Sequence, residues 1–96
     1  MTLQELKEKA LMILRSRGIV ATLAIHVSTE LQDEIKANVQ GNQNHYDIII
    51  NASLPFEMYP KAVAHELAHI ILQTSQHSNE HQKLAEKLYK ELMGRR

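Results

Sequence analysis

The sequence predicts a small α+β domain with an N-terminal helix, a three-stranded sheet and two further helices. The prediction rests first on the period of the apolar residues. Their spacing is helical up to Gly18, strand-like from Ile19 to Asn51, and helical again after Pro60. Length is the second observation. A chain of 96 residues makes one domain, residues 1–96, with a thin core that buries only roughly two-thirds of the unfolded surface.

Thr2 followed by Glu5 is a capping box, and Leu3, Leu6, Ala10, Ile13 and Leu14 recur on one face with lysines and glutamates between them. Gly18 suits the left-handed residue that closes a helix, so a helix is predicted over 3–17. From Ile19 to Val27 the pattern alternates. Ile19, Ala21, Leu23, Ile25 and Val27 share one face, and Val20, Thr22, Ala24 and His26 share the other, as in a half-buried strand. His26 reads as a surface or cross-strand histidine, since nothing near it in sequence completes a ligand pattern. Ser28 and Thr29 are good caps, which predicts a short helical turn over 28–32.

Two strands, Ile35–Gln40 and Tyr46–Asn51, flank the polar turn Gly41-Asn42-Gln43-Asn44. The second carries Ile48-Ile49-Ile50 and suits a central strand covered on both faces. Lys36, Asn38 and Gln40 alternate with Ala37 and Val39 in the first, which suits an exposed edge able to accept an extended peptide. Pro60 fits the first turn of a helix over 60–74. Val63, Leu67, Ile70, Ile71 and Thr74 point inward there, while Ala62, His65, Glu66, His69 and Gln73 line the other side. Ser78 or Asn79 caps a last helix to about Met93, with Leu84, Ala85, Leu88 and Leu92 as its stripe and Gly94-Arg95-Arg96 as a frayed end.

Composition narrows the chemistry. Eleven basic residues balance 11 acidic ones, so no net field favours nucleic acid or an anionic membrane. The absence of cysteine excludes disulfides, thiolate ligands and a cysteine nucleophile. No stretch approaches the roughly 20 apolar residues that span a bilayer, and Met1-Thr2-Leu3-Gln4-Glu5 lacks the basic start of a secretion signal, so the expected location is cytoplasmic.

The helix over 60–74 holds His65-Glu66-Leu67-Ala68-His69, an H-E-x-x-H pattern expected by chance only roughly 0.03 times in a chain of this composition. Histidines one turn apart share a face and can share one metal ion, and the glutamate between them leans toward the same site. Burying all three groups without a metal or other partner would cost several kcal/mol. A catalytic zinc takes three protein ligands and leaves a position for water. Glu66 is then the natural general base, removing a proton from the attacking water and passing it to the leaving amine. The third ligand must follow the helix, and His77, Glu80 and His81 are all candidates. Projection at about 100° per residue puts His81 on the last helix's apolar stripe and Glu80 at its margin. Tyr46, Tyr59, His45 and Tyr89 are conceivable oxyanion donors, and Asp47 or Asn51 could orient a ligand imidazole.

His65-Glu66-Leu67-Ala68-His69 followed by His77-Ser78-Asn79-Glu80-His81-Gln82-Lys83-Leu84-Ala85 resembles the SprT-like and YgjP-type zincin-like metallopeptidases. That resemblance implies a minimal zincin-like domain, Zn2+ as cofactor, a peptide or protein substrate, and His77 as third ligand. The segment Glu80-His81-Gln82-Lys83-Leu84-Ala85 is also similar to the glutamate helix of ImmA/IrrE-type peptidases and very small gluzincins, which would make Glu80 the ligand. The expected function is zinc-dependent peptide hydrolysis with His65, His69 and His77 on the metal. The alternative is a latent or non-catalytic zincin scaffold acting as a metal-binding or interaction module.

Overall fold

Residues 1–42, 44–74 and 76–94 are described by the computed structural model. Gln43 of the predicted turn and Arg95 and Arg96 of the predicted frayed end lie outside them. Helix α1 runs Leu3–Ser16 and starts on the predicted capping box: the Glu5 amide donates to Thr2 Oγ1, and the Thr2 amide donates to Glu5 Oε1, both at 3.1 Å. It ends on a two-bond reversal. With Gly18 at φ 80°, the Gly18 amide reaches the Arg15 carbonyl and the Ile19 amide reaches the Leu14 carbonyl. That closure holds the chain through Ile19, and strand β1 covers Thr22–Ser28, starting later than the alternation suggested.

Strands β2 (Ala37–Gly41) and β3 (His45–Asn51) pair antiparallel, and β3 also pairs parallel with β1, giving the order β1-β3-β2. The predicted helical turn over 28–32 does not form. Ser28 Oγ instead accepts from the Glu30 amide, and the Ile35 amide closes a turn on the Gln32 carbonyl. Short hydroxyl side chains bond nearby backbone in bends as readily as at helix starts, so Ser28 and Thr29 do not by themselves mark a helix.

β3 is central in pairing, yet it is not covered on both faces. Ile48 and Ile50 are fully buried, whereas His45, Asp47 and Ile49 lie on the outer face of the sheet. The apolar run reflects β-branched strand preference and one-sided burial. On that outer face Asp47 Oδ1 lies 2.9 Å from His26 Nε2 and 3.1 Å from His45 Nε2, and these hydrogen bonds, His26 first, lower the Asp47 carboxyl below its ordinary range. His26 is thus the cross-strand histidine expected.

Gly41 ends β2 at φ 137°, and a Cβ built there would collide with the His45 carbonyl oxygen. Only glycine fits this conformation and this approach. Gly41→Ala is expected to destabilise the domain by about 1–3 kcal/mol from the backbone alone, read as a lower thermal midpoint.

Helix α2 (Tyr59–Leu72) follows a 3-10 turn at Phe56–Met58 and has Pro60 in its first turn, as predicted. Helix α3 (Asn79–Leu92) is capped by Ser78, whose hydroxyl accepts from the His81 amide at 3.2 Å. Leu6, Leu14, Ile48, Ile50, Val63, Leu67, Leu88 and Leu92 form the centre of the core, joining all three helices to the inner face of the sheet. Each such side chain contributes about 1.5–3 kcal/mol by leaving water. Ala64 and Ala68 are buried as well, so α2 is enclosed on more than the single apolar face read from its spacing. No helix among the described residues is long and apolar enough to cross a membrane.

Candidate metal centre

α2 presents His65 and His69 one turn apart, both half-buried, toward the start of α3. The chain turns back at Gln73, which takes the left-handed conformation at φ 52°, and reaches His77 just before the Ser78 cap. Ligand atoms of His65, His69 and His77 all lie within 4.8 Å of one another. His65 Nε2 and His77 Nε2 are 3.1 Å apart. Two nitrogens of a tetrahedral zinc set at ordinary bond lengths stand about 3.3 Å apart, so the spacing fits one shared ion.

The site supplies its own orienting contact. His69 Nδ1 lies 2.8 Å from the Thr74 carbonyl oxygen. A carbonyl only accepts, so Nδ1 carries the proton and Nε2 keeps the free lone pair that a metal requires. Burial pushes the His65 imidazole down to about 4, helped by the neighbouring rings of His81, His69 and His77. Burial also lowers His69, against the opposing pull of the Thr74 carbonyl. Both are therefore neutral at pH 7, the form that binds metal.

Glu66 is 4 % exposed, and its Oε2 is buried without a hydrogen-bond partner among the described residues. Burial raises its carboxyl to about 7. Such an atom costs stability unless something else engages it, and in native proteins these exceptions concentrate at functional sites. Glu66 and the three histidines face one groove of about 870 Å³ between α2 and β2, an edge strand of the sheet, with Tyr46 also on its wall.

The other expected residues fall elsewhere. Glu80 is exposed in the first turn of α3 and lies outside the gathered set. His81 is 2 % exposed, on the apolar stripe as projected, with Nε2 3.0 Å from the His65 carbonyl oxygen. That nitrogen donates to the carbonyl and has no lone pair to offer a metal through it. Of the conceivable oxyanion donors only Tyr46 borders the groove; Tyr59 is buried against Phe56, His45 is on the outer face of the sheet, and Tyr89 packs against the core. Neither Asp47 nor Asn51 orients a ligand imidazole. Asp47 is engaged on the outer face, and Asn51 Nδ2 donates to the Gln32 and Ile35 carbonyls, holding the loop that precedes β2. The Thr74 carbonyl does the orienting, a contact that no residue type announces.

Residues 20–95 match the IrrE N-terminal-like domain, Peptidase M78. The chain belongs to the IrrE N-terminal-like domain family. No curated protein and no solved structure matches it. Membership supports a zincin-like metallopeptidase scaffold whose clustered histidines can hold a metal. It favours the ImmA/IrrE-type resemblance and gives no specific support to the SprT-like one. That resemblance implied Glu80 as third ligand, whereas the geometry of this IrrE-like domain brings His77 to the other two histidines.

Proposed function

We propose that this domain is a small zinc-dependent metallopeptidase, with zinc held by His65, His69 and His77 and with Glu66 as general base. The observation that carries the reading is the convergence of three imidazole nitrogens beside a buried carboxylate with one oxygen unpaired among the described residues. A purely structural zinc site has no use for such a carboxylate, which costs the fold stability.

Zinc, when bound, supplies an acidified water and polarises a substrate carbonyl. The chain does the rest. The Thr74 carbonyl holds the His69 ring in its plane, and burial keeps His65 neutral. Glu66, poised near neutral pH by burial, takes the proton of the attacking water at a carboxylate oxygen and returns it to the departing amine. The free edge of β2 borders the groove, so an extended peptide can add to the sheet as one more strand and bring its scissile carbonyl past Glu66. Extended peptides or unfolded protein segments are the substrate class this geometry suits.

Hydrolysis of a mixed peptide library should proceed, stop when a chelator removes the metal, and return when zinc is restored. Cleavage that persists at full rate in excess chelator contradicts the proposal.

A further inference from the structure

The four imidazoles of His65, His69, His77 and His81 form one cluster, with ring centroids between 4.1 and 5.3 Å apart. Three of them gather ligand atoms at one point, and the fourth does not. His81 instead makes two contacts with the ligand pair. Its Nε2–H donates to the backbone carbonyl of His65 at 3.0 Å, joining α3 to α2 at the residue that carries a ligand. That carbonyl also takes the ordinary helical bond from four residues on, so His81 uses its second lone pair. The His81 ring lies against the His69 ring, 4.1 Å between centroids and 26° from parallel.

We infer that His81 is a positioning residue for the metal centre, fixing the α2 ligand turn through the His65 carbonyl and the plane of His69 by stacking. This rests on the proposed His65, His69 and His77 zinc set. At 2 % exposure His81 cannot satisfy its N–H with water, so the bond to the carbonyl is required of the folded state. A ring in that place also restricts the rotation of His69 about its side-chain bonds, complementing the bond from His69 Nδ1 to the Thr74 carbonyl. His69 is thereby held by two contacts from two different segments. A leucine of similar volume would fill the core without either restraint.

The test separates fold from positioning. His81→Phe keeps a flat ring and loses the donor; His81→Gln keeps a donor and loses the ring; His81→Ala loses both. Each is compared with the unaltered protein for zinc affinity, by competition with a chromophoric chelator, and for the visible absorption of the cobalt(II) form, with circular dichroism reporting the fold. Zinc affinity should fall about 10–100-fold in His81→Ala, the loss typical of groups that orient ligands. His81→Phe and His81→Gln should fall between it and the unaltered protein, and all three should shift the cobalt bands. Should His81→Ala fail to fold, the Phe and Gln variants carry the test. If both bind zinc as tightly as the unaltered protein with unchanged cobalt spectra, the positioning role is overturned while the zinc site stands. An unaltered protein that binds no zinc overturns the site itself.

Discussion

Glu66→Gln should abolish peptide hydrolysis while leaving zinc in place. Glutamine matches the shape of the glutamate and sits at the same point between His65 and His69, but it cannot accept the proton of the attacking water. General-base catalysis contributes about 10²–10⁴-fold, and a fall of that size in turnover with unchanged zinc content is the expected result. Undiminished hydrolysis would remove Glu66 from the mechanism.

The same substitution has a second expected effect on the metal-free protein. Burial raises the Glu66 carboxyl to about 7 from an ordinary value of 4.5, so the fold favours its protonated form. Its contribution to stability is complete below about pH 4.5 and is lost as pH rises through 7, a change of roughly 3 kcal/mol. His65 works in the opposite direction: lowered to about 4, it favours folding above its ordinary 6.5 and loses that contribution as pH falls toward 4. Both proteins share the histidine effect, so their comparison isolates the glutamate. Thermal melts in chelator should show the stability of Glu66→Gln relative to the unaltered protein rising between pH 4.5 and 8, by roughly 3 kcal/mol in all. A gap that is the same at pH 5 and pH 8 would mean that the buried carboxyl carries no such penalty. A gap that rises as expected means that the group the chemistry needs destabilises the fold, a pattern common at active sites.

The second large effect concerns the third ligand. His77→Ala should lower zinc affinity on the order of 100-fold or more, beyond what loss of an orienting group costs. Glu80→Gln should leave zinc binding unchanged and cost only a few tenths of a kcal/mol, from a weaker interaction with the α3 N-terminus. The pair of variants decides between the geometry and the family resemblance. Loss of zinc in Glu80→Gln with full retention in His77→Ala would reverse the assignment.

Much of this arrangement was legible in the residues. The Thr2–Glu5 capping box, Gly18, Pro60 and Ser78 marked helix ends because each satisfies a local backbone requirement, and local requirements are written in local sequence. The H-E-x-x-H pair was legible for the same reason, since helical spacing alone puts His65 and His69 on one face. Features set by distant contacts were not. The single covered face of the sheet could not be told from the Ile48-Ile49-Ile50 run, because β-branched residues suit a half-buried strand as well as a buried one. The residue type of Asn51 suits a partner for a ligand imidazole, and it serves the loop before β2 instead. The choice among His77, Glu80 and His81 depends on a left-handed turn at Gln73, a non-glycine residue that gives no sign of it. The Thr74 carbonyl that orients His69 is backbone, and backbone has no sequence signature.

The rate of peptide-library hydrolysis as zinc is added to the metal-free protein tests the peptidase reading and the single zinc site together. Hydrolysis should rise in proportion to zinc and level off at one equivalent. Zinc that binds to one equivalent without any rise in cleavage would contradict the peptidase reading and leave the site as a metal-holding scaffold.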